Sequence, residues 1–245
     1  MADSEWIVGF HAVLAGLESD RGAEQLWLQE GRHDGRLRRL EAVAANRRVA
    51  VRRVPKRRLD EVAAGQPHNG CALRAAPMRL AGLDEIIAPG DEPGRVVVLD
   101  SVEDPHNLGA VIRSAAAFGI DGVVVAGPSA PPLGGAAAKA AAGHLDRVPV
   151  VRATVAADAL RTLRDAGYWI LGAATGGVAC RGYDPTRRWA LCLGSEQRGL
   201  RAKTRSAIDE LVAIPMADGV ESLNLSVAAA VLMYELVGRS TAPDS

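Results

Sequence analysis

Aromatic side chains are scarce, at 4% of the 245 residues, so Ala, Val and Leu must supply the bulk of any core. Cysteine is scarcer still. Cys71, Cys180 and Cys192 are far apart and form no CxxC pair, which argues against a disulfide framework and against a zinc site. All three are expected to be reduced, partly buried small hydrophobes. The five histidines show no HExxH or paired spacing, so no metal is indicated. No apolar run approaches the ~20 residues that cross a bilayer. Met1 to Trp6 is polar and acidic, unlike a signal peptide. The expectation is a cytoplasmic protein without a membrane partner. Neither GxxxxGK[ST] nor GxGxxG occurs, and Gly134 to Gly143 (GGAAAKAAAG) imitates a phosphate loop only superficially. A nucleoside triphosphatase and a standard dinucleotide-binding domain are therefore poorly supported.

Net charge is also lacking, with 29 basic and 29 acidic residues, but the balance is local rather than uniform. Arg32 to Arg58 holds eleven Lys and Arg against two acids, Asp34 and Glu41. Such a block suits either a solvated helix face or a nucleic-acid footprint. Around it the period alternates. Helices are predicted over Val8 to Glu18, Arg36 to Ala45 and Lys56 to Ala64, and strands over Gln25 to Gln29, Val49 to Val54 and Cys71 to Ala75. About 75 residues of this kind make a small α/β domain, 1–76. Pro77, Pro89, Gly90, Pro93 and Gly94 then mark a linker, 77–94, with one short helix near Leu83 to Ile87.

Beyond the linker, six apolar strands are predicted: Arg95 to Leu99, Gly122 to Ala126, Val148 to Val151, Tyr168 to Ala173, Ala190 to Leu193 and Leu211 to Ile214. Helices over Leu108 to Phe118, Ala136 to Ala142, Ala156 to Ala166, Lys203 to Ile208 and Leu225 to Val237 separate or follow them. Runs such as RVVVL and GVVVA belong in a mostly parallel sheet covered on both sides, domain 95–245. The last helix is apolar on every side and is expected to be buried almost all round.

In parallel sheets ligands bind beyond the carboxyl ends of the strands. Three such ends carry polar clusters. Asp100 to Gly109 includes Asn107, placed to cap the next helix, with Arg113 a turn and a half further on. Gly194 to Leu200 (GSEQRGL) includes Glu196, an acid with no evident packing role beyond a surface pair with Arg198 or Arg201. Ile214 to Ser226 places Ser222, Asn224 and Ser226 at the start of the last helix, where one cap would suffice.

Taken together, DPHNLGAVIRSAAAFG, LGSEQRGL and IPMADGVESLNLSVAAAVLMYE resemble, in order and spacing, the three motifs of the SpoU/TrmH (SPOUT) RNA 2′-O-methyltransferases. Val8 to Val13 and His68-Asn69-Gly70 look like the L30e/L7Ae-type RNA-binding domain of one branch. That branch includes the 23S ribosomal RNA guanosine 2′-O-methyltransferase acting near the peptidyl-transferase centre. The resemblance implies a deep trefoil knot in the C-terminal domain, S-adenosylmethionine as cofactor, ribosomal RNA as partner, and a homodimer contacting through the knotted domain. It implies a catalytic set of Asn107, Arg113, Glu196, Ser222 and Asn224. Ala173, Ala174, Thr175, Gly176, Leu193, Gly194, Ile214, Met216, Ser222 and Leu223 would frame the cofactor. Arg113 suits a fork-like grip on the phosphate beside the target ribose. The base is left open between Glu196 and a phosphate oxygen, because a guanidinium holds its proton above pH ~12.

Two departures stand out. Ser129 to Gly143 is rich in Ala, Gly and Pro, as a segment that orders on RNA would be, and His144 follows it. Two other functions compete: the same chemistry on transfer RNA or another ribosomal site, and a catalytically silent ribosome-associated RNA binder. The second has no need of all five polar residues.

Overall fold

The computed structural model describes residues 4–19 and 22–238; residues 1–3, 20–21 and 239–245 lie outside it. It divides into two compact units, 1–79 with 133–147, and 80–132 with 148–245.

The first unit runs β1 (Glu5–Val8), α1 (Phe10–Glu18), β2 (Ala23–Gln29), α2 (Gly35–Asn46), β3 (Ala50–Val54), α3 (Lys56–Ala63) and β4 (Cys71–Ala75), in a sheet of order β1-β4-β2-β3. The sequence reading missed β1, because its four residues run straight into the helix after Gly9. At φ +91° that glycine makes the turn between them. Asp34 caps α2 by accepting from the Leu37 amide at 3.0 Å. One sheet face packs Leu26, Leu28, Cys71 and Leu73 against Leu14, Leu17, Leu37 and Leu40 of α1 and α2. Each fully buried leucine there contributes about 1.5–3 kcal/mol. The opposite face carries a smaller cluster of Val54, Leu59 and Ala72 beneath α3. The Ala/Gly-rich segment is not featureless: it forms α5 (Gly135–Ala141), which groups with this unit.

The second unit holds β5 (Gly94–Asp100), α4 (Pro105–Ala117), β6 (Gly122–Ala126), β7 (Val150–Ala153), α6 (Ala156–Asp165), β8 (Trp169–Ala179), β9 (Arg188–Leu193), α7 (Ala202–Arg205), β10 (Glu210–Ala213) and α8 (Leu225–Val237). All six strands pair in parallel, in the order β10-β8-β9-β5-β6-β7. Val96, Val98 and Val124 meet Leu160 and Leu163 of α6 on one face. Val97, Leu99, Val123 and Val125 alternate onto the other, where α4 and α8 pack side by side. Residues 80–94 group with this unit, with Leu83, Ile86 and Ile87 against its core.

Two expectations are corrected here. β8 does not stop at Ala173 but runs on to Ala179. And α8 is not buried all round: Val227 and Tyr234, seven residues apart on one stripe, are 48% and 62% exposed.

Candidate active site

The site grows from three segments: the loops after the central strands β5 and β9, and the start of α8. After β5, Asp104 caps α4 by accepting from the His106 amide at 2.8 Å, with Pro105 at the first helical position. Asn107 is therefore not the cap that the sequence suggested. It sits inside the first turn, 5% exposed, with its side chain free to bond elsewhere. After β9, a tight loop closed by a bridge between Ser195 and Gly199 presents Glu196. Gly194 is required there: a Cβ on it would lie 2.1 Å from the Gly199 carbonyl carbon. At the start of α8, Asn224 is the cap and accepts from the Ser226 and Val227 amides.

These three side chains close on one another. Asn107 Nδ2 donates to Glu196 Oε1 at 2.6 Å, and Asn224 Nδ2 donates to the same oxygen at 3.0 Å. Asn224 Nδ2 also lies 3.0 Å from Asn107 Oδ1. The Leu225 amide, at the positive end of α8, adds a third donor to Glu196 Oε1 at 3.3 Å. Oε1 is thus fully engaged, whereas Oε2 accepts no hydrogen bond among the described residues. Asn107, Glu196 and Asn224 are 89 and 28 residues apart in sequence. Their convergence is a product of the fold alone.

Arg113 and Ser222 are placed differently. Both are exposed, and neither has a hydrogen-bond or ion-pair partner among the described residues. Arg113 follows Asn107 by six residues on α4, about a third of a turn round and ~9 Å along the axis.

Residues 94–234 match the model of the SpoU rRNA Methylase family. The chain belongs to that family. Residues 6–81 match a second model, described as RNA 2′-O ribose methyltransferase substrate binding. This SpoU-family chain is 38% identical over 239 residues to the 23S rRNA (guanosine-2′-O-)-methyltransferase RlmB of Xanthomonas campestris pv. campestris, 96% of each chain being covered. To the RlmB of Nitrosomonas europaea it is 37% identical over 238 residues, 96% of this chain and 92% of that one. Among solved structures it resembles the SpoU methyltransferase AviRb of Streptomyces viridochromogenes in complex with AdoMet, with TM-score 0.80, 26% identity, and 97% and 90% of the two chains covered. It resembles the AdoMet-bound rRNA methyltransferase of Sinorhizobium meliloti equally, with TM-score 0.80, 25% identity, and 98% and 88% covered.

Most of the positions expected around S-adenosylmethionine lie on or just after β8, β9 and β10. Leu193 ends β9 and Gly194 follows it, and Ile214 and Met216 follow β10. β8 lies between those two strands. It leaves β9 after Gly172 meets Cys192, and its register with β10 jumps from Gly172–Leu211 to Val178–Val212. Ala173 to Gly177 lie outside the register of both neighbours, so their backbone amides and carbonyls can serve a ligand. Gly176, at φ +81°, has open space where a Cβ would stand. The side chains of these ten positions are apolar, absent or hydroxyl-bearing, with no acid or base among them. That donor set suits a neutral purine and a sulfonium chain held mainly by backbone groups.

Sequence reasoning passed over Asp100, the last residue of β5. It is 2% exposed, and its carboxylate accepts from Thr204 Oγ1 at 2.7 Å, Ser101 Oγ at 2.9 Å and the Arg201 amide at 3.4 Å. It ties the segment that follows the Glu196 loop to the central strand. The signal was present: an acid following the buried run Val96 to Leu99 must find donors.

Proposed function

We propose that this protein transfers a methyl group from S-adenosylmethionine to a ribose 2′-hydroxyl of 23S ribosomal RNA, on a guanosine near the peptidyl-transferase centre. The observation that carries the reading is the Asn107–Glu196–Asn224 cluster in a SpoU-family chain. RlmB relatives covered almost end to end favour ribosomal over transfer RNA.

The bound cofactor supplies an electrophilic methyl carbon. The protein must bring a weak nucleophile in line with it and take its proton. Asn107 and Asn224 hold Glu196 by one oxygen, which fixes the carboxylate and leaves Oε2 to accept the hydroxyl proton. Arg113, exposed and unpaired, is available to grip the neighbouring phosphate bidentately. Ser222 and the apolar Leu193, Ile214, Met216 and Leu223 line the cofactor. Ala173, Ala174, Thr175, Gly176 and Gly194 offer it backbone groups. The knot belongs to the same proposal and rests on the family resemblance.

Domains 1–76 and 95–245 then divide the work between substrate binding and chemistry. A homodimer in the cytoplasm completes the picture, with the exposed Val220, Val227 and Tyr234 as its apolar contact. No helix among the described residues is long and apolar enough to cross a membrane.

The test is Arg113→Ala. It should abolish methyl transfer while S-adenosylmethionine affinity, measured by calorimetry, stays near wild type. Retained activity would remove Arg113 from the site.

A further inference from the structure

The first unit carries a feature that the methyl-transfer chemistry does not use. On the sheet face opposite α1 and α2, Trp6 of β1 and Trp27 of β2 meet across the intervening strand β4, with ring centroids 4.2 Å apart and planes at 49°. They can meet because β4 places Ala72, a small residue, directly opposite Trp27. Each ring leans one side on the cluster of Leu59 and Val62 from α3 and stays half-buried rather than enclosed. The Trp27 indole N–H donates to Gln25 Oε1 at 2.7 Å, and that of Trp6 has no partner among the described residues.

Cations flank the pair. Arg52 stands opposite Trp27 on the edge strand β3, exposed and without a partner among the described residues. Arg74 stands opposite Trp6 on β4, paired at 3.2 Å with Glu24. Trp6 also lines a cleft of about 340 Å³ whose walls include His11, Gln66, Asn69 and Lys139. That volume lies within the range of small-ligand sites, ~300–1,000 Å³.

We infer that this face is a stacking platform for unpaired RNA bases, with Trp6 and Trp27 as the π surfaces and Arg52 and Arg74 holding the phosphates. Partly exposed indoles beside α3, flanked by arginines, are what single strands need. Every base offers a π face, and the charge follows the backbone. A duplex keeps its bases stacked internally and cannot use the rings. The inference rests on the RNA substrate proposed above but assigns a place on the protein that the reaction itself does not require.

The experiment measures binding of the full chain to a short single-stranded RNA and to a duplex of the same sequence, by fluorescence anisotropy at fixed salt. Trp6→Leu and Trp27→Leu keep apolar cover over Leu59 and Val62 but remove the π face. Each should weaken single-strand binding by roughly 5- to 100-fold and leave duplex binding within about twofold. Trp27→Phe should restore most of the loss, which a merely structural role for the indole would not predict for RNA binding alone. Arg52→Gln should reduce the salt slope by about one ion. Folded leucine variants that bind single strands as wild type does, or that lose both RNAs equally, would overturn the platform. Should Trp→Leu fail to fold, Trp6→Phe and Trp27→Phe decide by how far each reduces the quenching that the oligonucleotide causes in the four-tryptophan wild type. A smaller quench in either variant supports the platform, and an undiminished one in both sinks it. Calorimetric titration with S-adenosylmethionine runs in parallel: its failure would remove the methyltransferase reading and leave the RNA result standing.

Discussion

Asn107 donates a 2.6 Å hydrogen bond to Glu196, joining the first turn of α4 to the loop after β9. The donor is neutral and buried, and the acceptor is a carboxylate that also receives Asn224 and the α8 amide end. Hydrogen bonds to a charged group are worth about 1.5–3 kcal/mol, so this contact decides where the carboxylate sits.

Asn107→Ala and Glu196→Gln should therefore be non-additive. Each alone is expected to lower kcat by about 10²-fold or more, and the double variant to fall little further. Steady-state kinetics on all three proteins measures the coupling. Simple multiplication of the two losses would show that the residues act separately.

Gly194→Ala should be severe. Its Cβ would meet backbone at 2.1–2.3 Å, not the movable end of a side chain. Overpacking of this kind costs about 1–3 kcal/mol or more and displaces the Glu196 loop. A lowered denaturation midpoint together with loss of cofactor binding is expected. An alanine variant with normal stability would contradict the close passage.

Alkaline pH should weaken the fold before pH 12. Burial pushes the Cys71 thiol up to about 12 from 9.0, and burial followed by Glu210 pushes the Tyr183 phenol up to about 12 from 10.0. Well below pH 9 both groups are protonated whether folded or not, and their contribution is complete. Above it the unfolded chain releases protons that the native state retains, so stability declines as pH rises towards 12. Denaturant midpoints between pH 8 and 11 follow this, and an unchanged midpoint would refute it. Buried Cys71, Cys180 and Cys192 should accordingly resist alkylation in the native protein and react on unfolding.

Val227→Asp and Tyr234→Asp probe the proposed dimer. Wild type is expected to sediment at twice the 25.7 kDa chain mass, and the variants to shift towards it. A monomeric wild type would leave the exposed α8 stripe without this role.

The six parallel strands were legible because continuous Val-rich runs leave little choice but a doubly covered sheet. Other features were decided by competition that spacing does not resolve. Asp104 and Asn107 are both good caps three residues apart, and Pro105 tips the start to Asp104, which frees Asn107 for Glu196. The glycines after Gly172 read as a loop, yet the chain re-pairs at Val178 and Ala179 with β10, because Gly177 can pass against Leu211. An all-apolar helix reads as buried whether its cover comes from its own chain or from elsewhere, hence the exposed Val227 and Tyr234 on α8. The meeting of Asn107, Glu196 and Asn224 could be anticipated only through the motif resemblance, since nothing local links residues so far apart.

The most direct measurement incubates the purified protein with isotopically methyl-labelled S-adenosylmethionine and ribosomal RNA from cells lacking this protein, then maps the label. The account predicts label on one ribose 2′-oxygen of 23S RNA, lost with Glu196→Gln and with Arg113→Ala. Label on a base, or none on RNA with cofactor demonstrably bound, would contradict it.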